Sequence, residues 1–444
     1  MNRTFFKNRK IFPTLKEVEK KQFDCSSNNH DRIEIGPSQL ALKEWAEAGL
    51  TLPNLQKIRK YRLHRIIQKL HENELAAVLV FDPLNIRYAT DTTNMQLWNT
   101  HNPFRCCLVL SDGYMVVWDY KNSPFLCDFN PLIKEVRSGA SMFYFASGDK
   151  IEDSASKFAA EIHSLLIKHC GKNTRLAVDK IMLHGLKAIE QLQIEVCEGE
   201  RIMEHARSIK SHDEVLAMKC SIHACETSVA LMEEHAAPGM SENEVWAILH
   251  CENIKRGGEW IETRLLTSGP RTNPWFQECG PRTIKENEIL AFDTDLIGCY
   301  GICCDISRTW WMGPNRPRDD MIEAMNHAFD HIQGNIELLK PGVSFKELTF
   351  GGHQLLSKFQ KLKYSCKMHG VGLCDEWPLI TYPDEWTEGA FNYLVEPGMV
   401  FCVEALVSEE GKDFSIKLED QILITESGYQ NLTAYPFDKM LMGI

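Results

Sequence analysis

The sequence predicts a two-domain α/β protein, and three observations predict it. The first two hundred or so residues alternate helix-like and strand-like segments. The second half carries one device twice: a helix, a Pro-Gly step, a capping box and another helix. The chain has 444 residues, more than one hydrophobic core usually fills. The expected division is an N-terminal extension over 1–50, an α/β domain over 51–205 and a second, larger domain over 206–444.

The elements follow in order. Residues 57–73 are amphipathic and charged, as in a surface helix. Ala76 to Phe81 is unbroken apolar sequence, the pattern of a buried strand. Arg105–Ser111 and Tyr114–Tyr120 flank Asp112-Gly113, a strong hairpin signal. A strand over Arg175–Val178 and a helix near 181–195 complete the first domain. In the second, Ser211 and Glu214 form a capping box that opens a helix running toward Pro238-Gly239, and Ser241 with Glu244 opens another. The device returns as a helix across 319–339, Pro341-Gly342, and Ser344 with Glu347 opening a further helix. Two similar halves closing on a site between them is the expected architecture.

Composition narrows the function. A net charge of −12 with no basic block argues against nucleic-acid binding. No apolar run is expected to span a membrane. The basic segment Met1 to Lys21 lacks the apolar stretch of a secretory signal and reads as a flexible extension or an arm packing on a partner. Of the 16 cysteines, Cys106-Cys107 and Cys303-Cys304 are adjacent pairs in apolar strands, and no CxxC pair points to structural zinc. Buried free thiols in a reducing cytoplasm are the expectation.

The chemistry concentrates between Asp293 and Thr309. Asp293, Asp295 and Asp305 lie in an otherwise apolar, strand-like segment. Carboxylates enter a protein interior when paired or metal-bound. Asp293 and Asp295 are two apart and would share one face of a strand. After a turn near Gly298 to Gly301, Asp305 would sit opposite them. Further on, His369, Glu404 and Glu419 each lie in or beside a hydrophobic run. Five carboxylates and one histidine are the inventory of a two-metal site with hard oxygen ligands. Asp295 alone has a second reading, as the cap of a turn. Arg308 is expected to orient a carboxylate through bidentate hydrogen bonds.

From about residue 57 to 440 these motifs resemble the pita-bread metallopeptidase superfamily of methionine aminopeptidase, aminopeptidase P, prolidase and the non-peptidase creatinase. The family's ordered ligands match Asp293 or Asp295, Asp305 in Asp-Ile-Ser-Arg-Thr, His369 in His-Gly-Val-Gly, Glu404 after Glu-Pro-Gly-Met-Val, and Glu419 in Leu-Glu-Asp. Phe-Asp-Pro-Leu-Asn-Ile-Arg-Tyr at 81–88 resembles the creatinase-type N-terminal domain. The resemblance implies a pita-bread second domain with an internal pseudo-two-fold repeat.

Two departures stand out. The family's peptidases carry a histidine seven residues after a Ser-Gly step; after Ser268-Gly269 that position is Phe276. They carry a second histidine in His-Glu-x-Pro; here the segment runs Asp375-Glu-Trp-Pro378. With every metal ligand kept and both histidines replaced, the pattern looks like the superfamily's dimethylsulfoniopropionate lyases. That resemblance implies a cytoplasmic homodimer and a dinuclear, iron-containing centre; carboxylate-rich ligation also suits manganese or cobalt, and affinity admits zinc or nickel. It implies release of dimethyl sulfide and acrylate by β-elimination, with Asp375 as the base. Trp98 and Tyr364 are the foremost aromatic faces for the sulfonium, Trp377 and Phe276 further candidates. Trp98 would reach in from the first domain, of its own or a partner subunit. The rivals are an Xaa-Pro dipeptidase or aminopeptidase P-type hydrolase, and a metal-free scaffold on the same fold.

Overall fold

The computed structural model describes residues 35–444. The arm expected over the first residues falls outside them. The residues that follow it pack on the folded body. Ser38 caps helix α1 (Gln39–Glu47) with its side chain. Ala41 and Trp45, one helical turn apart, are fully buried, and Trp45 stacks on Tyr300 of the second domain with ring centroids 6.0 Å apart. Glu44 receives the guanidinium of Arg256 on both oxygens at 2.8 Å. Nine residues are too few for their periodicity to announce such a helix.

The expected surface helix is α2 (Leu55–Glu72). There follow β1 (Ala77–Val80), α3 (Pro83–Thr90), α4 (Gln96–His101), β2 (Cys106–Leu110), β3 (Met115–Asp119), β4 (Ile133–Ser138), α5 (Tyr144–Ser147), α6 (Ile151–Cys170), β5 (Arg175–Val178), α7 (Leu183–Gln191), β6 (Glu195–Glu198) and α8 (Glu200–Arg207). The strands form one sheet in the order β4-β3-β2-β1-β5-β6. Val78 and Val80 of β1 share a core with Ile66 and Leu70 of α2, while Leu79 packs with Phe158 and Ile162 of α6 on the other face. Burial on both faces explains the unbroken apolar run. The hairpin turn is at Asp112-Gly113: Gly113 has φ +85°, and the Asp112 carboxylate accepts from the Tyr114 amide.

The second domain continues with α9 (His212–His235), α10 (Glu242–Lys255), β7 (Trp260–Ile261), β8 (Leu266–Ser268), β9 (Ile289–Asp293), β10 (Leu296–Ile297), β11 (Cys303–Cys304), β12 (Ser307–Trp311), α11 (Asp319–Ile336), α12 (Phe345–Phe350), β13 (Met368–Val371), β14 (Asp375–Ile380), β15 (Val400–Ser408), β16 (Ser415–Ile424), β17 (Tyr429–Asn431) and α13 (Lys439–Met442). All three expected capping boxes form, at Ser211, Ser241 and Ser344. The repeat extends past them. Gly239 donates to the Ile284 carbonyl as Gly342 does to Val395, and each N-cap serine makes a lone bridge, Ser241 to Thr283 and Ser344 to Leu394.

One expectation is corrected here. α9 has the length and apolarity of a membrane-crossing helix, although none was expected. Its apolar window is 56% buried inside the protein, where Met218, Cys225, Val229 and Met232 join two cores. The apolarity serves packing on more than one side. One of these cores runs from Ile66 and Val80 of the first domain to Met218, Cys299 and Cys402 of the second, so the domains share an interior. The fifteen described cysteines are free, and Cys106, Cys107, Cys303 and Cys304 are buried as expected.

Candidate metal centre

Strand register assembles the site. β15 and β16 set Glu404 opposite Glu419, and β13 sets His369 beside Cys402. β9 and β12 pair Asp293 with Ser307. Between β10 and β11 the chain turns at Cys299–Gly301, where the sequence placed its turn, and Asp305 returns beside Asp295; the Asp295 amide donates to Asp305 Oδ1 at 3.4 Å. Asp293 and Asp295 reach one site by a different route from the expected strand alternation. Asp295 has φ +36°, so the strand breaks between β9 and β10. The Thr294 hydroxyl holds the kink by donating to the Cys304 carbonyl at 2.9 Å.

Asp305, His369, Cys402 and Glu419 each offer a donor atom within 4.8 Å of the others, and so do Asp295, Asp305 and Asp375. His369 Nε2 lies 3.3 Å from Glu419, 3.6 Å from Asp305 and 3.7 Å from Glu404. Asp293, Asp305, Glu404 and Glu419 are at most 2% exposed. The six expected ligands therefore converge.

The structure adds a cation that was not expected. Lys417 Nζ, fully buried, lies 2.8 Å from Asp293 and from Glu404 and 2.9 Å from Glu419, and donates to Ser307 Oγ at 2.8 Å. It sits two residues before Glu419 on the same face of β16, so the two-residue strand period carried the signal. Burial opposes the charge on Lys417, but Asp293, Glu404 and Glu419 hold its pKa well above the usual range. Glu419 is likewise opposed by burial, yet Lys417 and His369 hold it well below the carboxylate range. Glu404 has the same two cations nearby, but burial prevails and its pKa stands at about 7. Burial, then the crowd of carboxylates, raises Asp295 and Asp305 well above the ordinary value.

These residues fit divalent ions. Asp305, His369 and Glu419 bring buried oxygen and nitrogen donors together, the set that divalent ions take. Five ligand carboxylates against one ammonium leave four negative charges, which two divalent ions would balance.

Asp375 begins β14 at the mouth of the cluster. Its side chain is 44% exposed, with Oδ1 3.8 Å from His369 Nδ1. Removal from water raises its pKa, Glu419 and Asp293 push the same way, and His369 and Lys417 oppose them. The next residue, Glu376, points the other way, to Arg207 at 2.9 Å and Lys210 at 2.7 Å in the domain interface. That latch was not foreseen. Tyr364 stands over Lys417, its ring centroid 4.5 Å from Nζ, and stacks on Phe276 at 5.3 Å. Trp377 packs on His205 and Tyr393. Trp98 is on the first domain against Tyr120, Phe143 and Phe145, and is not among the residues grouped around the ligands. Arg308 meets Asp420 through one nitrogen at 2.7 Å, and spends its other donors on backbone carbonyls of Ser307, Glu419 and Tyr435. It fixes the strand carrying Glu419, and the expected bidentate pairing does not form.

Comparison with known proteins fits this architecture. Residues 62–209 match the creatinase/prolidase N-terminal domain, and residues 217–426 match metallopeptidase family M24. Among solved structures, an Xaa-Pro dipeptidase from Bacillus anthracis superposes with a TM-score of 0.68 at 18% identity, covering 85% of this chain and 98% of that one. An X-Pro aminopeptidase from Thermotoga maritima gives 0.67 at 19%, covering 85% and 99%. The dimethylsulfoniopropionate lyase DddP of Roseovarius nubinhibens is 60% identical over 448 residues, and that of Roseobacter denitrificans 58% over 449, each covering 100% of both chains. Likeness of this extent makes the chain a member of the dimethylsulfoniopropionate lyase DddP family, within the creatinase- and prolidase-like metallopeptidases of pita-bread fold.

Proposed function

We propose that the protein cleaves dimethylsulfoniopropionate into dimethyl sulfide and acrylate by β-elimination at this centre. Asp293, Asp295, Asp305, His369, Glu404 and Glu419 would hold two divalent ions. Iron leads among the candidates, and manganese, cobalt, zinc and nickel also suit the ligands. Once bound, the ions would supply positive charge for the substrate carboxylate and for the enolate-like charge of proton loss.

The observation that carries the reading is the place of Asp375. Its carboxylate joins Asp295 and Asp305 yet stays half exposed, so a substrate resting on the ligand cluster meets it. Asp375 takes the proton α to the carboxylate. The C–H electron pair becomes the carbon–carbon double bond, the β-carbon–sulfur bond breaks, and sulfur leaves with the C–S bonding pair as neutral dimethyl sulfide. Phe276, exposed and stacked on Tyr364, offers the sulfonium an aromatic face worth roughly 0.5–2 kcal/mol, and Tyr364 backs it. The names of the relatives support the substrate. We place the enzyme in the cytoplasm as a homodimer, in which Trp98 of a partner subunit completes the aromatic wall.

The test is headspace dimethyl sulfide from purified, metal-analysed protein. Activity should vanish on chelation. Asp375→Asn should keep its metal and lose about 10²–10⁴-fold in kcat. Near-normal turnover in Asp375→Asn would remove the base from the proposal. Proline release from Xaa-Pro peptides without sulfide would replace the lyase with a hydrolase.

A further inference from the structure

Asp295 sits in the break between β9 and β10, in the left-handed region at φ +36°, so the strand ladder alone does not aim its side chain. The edge strand β7 supplies the aim. It pairs antiparallel with β10, Ile261 beside Leu296 and Trp260 beside Ile297. The chain carries that pairing one step further, where the Glu262 amide donates to the Asp295 carbonyl at 3.0 Å. The next residue, Thr263, is half-buried, and its hydroxyl donates to Asp295 Oδ2 at 2.5 Å. A hydroxyl-to-carboxylate bond of that length is of the stronger, charge-assisted kind. Among the described residues no other side chain donates to Asp295. The two ends of the site differ in this respect. Asp293, Glu404 and Glu419 surround the Lys417 ammonium. Asp295, Asp305 and Asp375 bring oxygens within 4.8 Å of one another, and among the described residues no lysine or arginine pairs with them.

We propose that Thr263 is a positioning residue for the outer of the two ions, the one nearer Asp295, Asp305 and Asp375. Its hydroxyl engages Oδ2 and restrains the carboxylate, so the ion meets a ligand already oriented and does not have to order it. Thr263 carries no charge, so its contribution is orientation. That contribution falls on the outer ion, because the inner carboxylates are ordered by Lys417 and by Ser307, whose hydroxyl donates to Asp293 at 2.7 Å. The inference rests on the reading of the cluster as a two-ion centre and is independent of the substrate.

The experiment titrates cobalt(II) into the full-length protein, stripped with a chelator, by calorimetry and counts the metal bound. The unaltered protein is expected to take up two ions per chain. Thr263→Val keeps the shape of the side chain and removes the hydroxyl. It should bind the inner ion as before and the outer one roughly 10–100-fold more weakly. Thr263→Ser returns the hydroxyl and should restore the second step. Undiminished binding of both ions by Thr263→Val overturns the assignment and leaves the two-ion centre standing. Equal weakening of both steps, or a Thr263→Ser that behaves like Thr263→Val, overturns it as well, because either result points to general damage to the site. One ion or none in the unaltered protein overturns the two-ion reading and the assignment with it. If Thr263→Val does not fold, Thr263→Ala is read against Thr263→Ser in the same way.

Discussion

Lys417 is the residue that most changes how the site works before metal arrives. Its ammonium stands among three carboxylates at 2.8–2.9 Å, with no water-exposed surface. Without it, Asp293, Glu404 and Glu419 would face one another in a medium that screens poorly. Lys417→Met keeps the length and removes the charge. It should lower the stability of metal-free protein by about 3–5 kcal/mol, because it leaves buried charges uncompensated. Divalent ions should restore much of that loss, since their charge does the same work. Urea unfolding with and without chelator measures both effects; a change within about 0.5 kcal/mol in the metal-free protein would show that the carboxylates protonate instead. The split between Glu419, held ionised, and Glu404, near 7, follows from geometry of the same kind. Lys417 stands nearly the same distance from both, 2.9 Å from Glu419 and 2.8 Å from Glu404, but His369 lies closer to Glu419, at 3.3 Å against 3.7 Å.

At the scale of elements, β14 has two faces with separate tasks. Asp375 faces the metal cluster, while Glu376 is clamped by Arg207 and Lys210, and the Trp377 amide donates to Glu204 of α8 at 2.8 Å. The linker helix thus grips the strand that presents the candidate base. In the second domain, α11 carries His331, which is 1% exposed between Tyr382 and His353 at 3.3 and 3.4 Å. Burial, then Lys367 and His353, push its pKa down to about 3. An unfolded histidine titrates near 6.5. Below that pH the unfolded chain binds a proton that the folded chain refuses, so stability falls as pH drops from about 6.5 toward 3, and is unaffected above. The full effect is at most about 5 kcal/mol. His331→Gln should flatten the fall of the urea midpoint between pH 6.5 and 4.5; an unchanged slope would mean that His331 takes up its proton in the folded state.

At the scale of the molecule, one core runs through both domains, and α1 is pinned across the turn that brings Asp305 back to Asp295. Trp98 stands on the first domain, away from the ligand cluster. It lines an open cavity of about 560 Å³ with Met95, Leu97 and Trp260, and Leu97 and Phe145 nearby are 62% and 80% exposed. If a partner's Trp98 completes the site, mixed dimers of Trp98→Ala and Asp375→Asn protomers should recover activity that neither variant shows alone, because one site per dimer then has both side chains intact. No recovery in verified mixed dimers would place Trp98 in its own subunit's site, or in none. The sequence by itself determined the candidate ligands, the capping boxes and the doubled device, because each is a local pattern of residue types at fixed spacing, and the resemblance to the family pointed to the replaced histidines. The kink at Asp295, the ammonium of Lys417 among the ligands, the thiol of Cys402 beside His369 and the grip on Glu376 were decided by the tertiary structure alone. Each depends on which strands pair and in what register, and that is settled by contacts between residues tens to hundreds of positions apart.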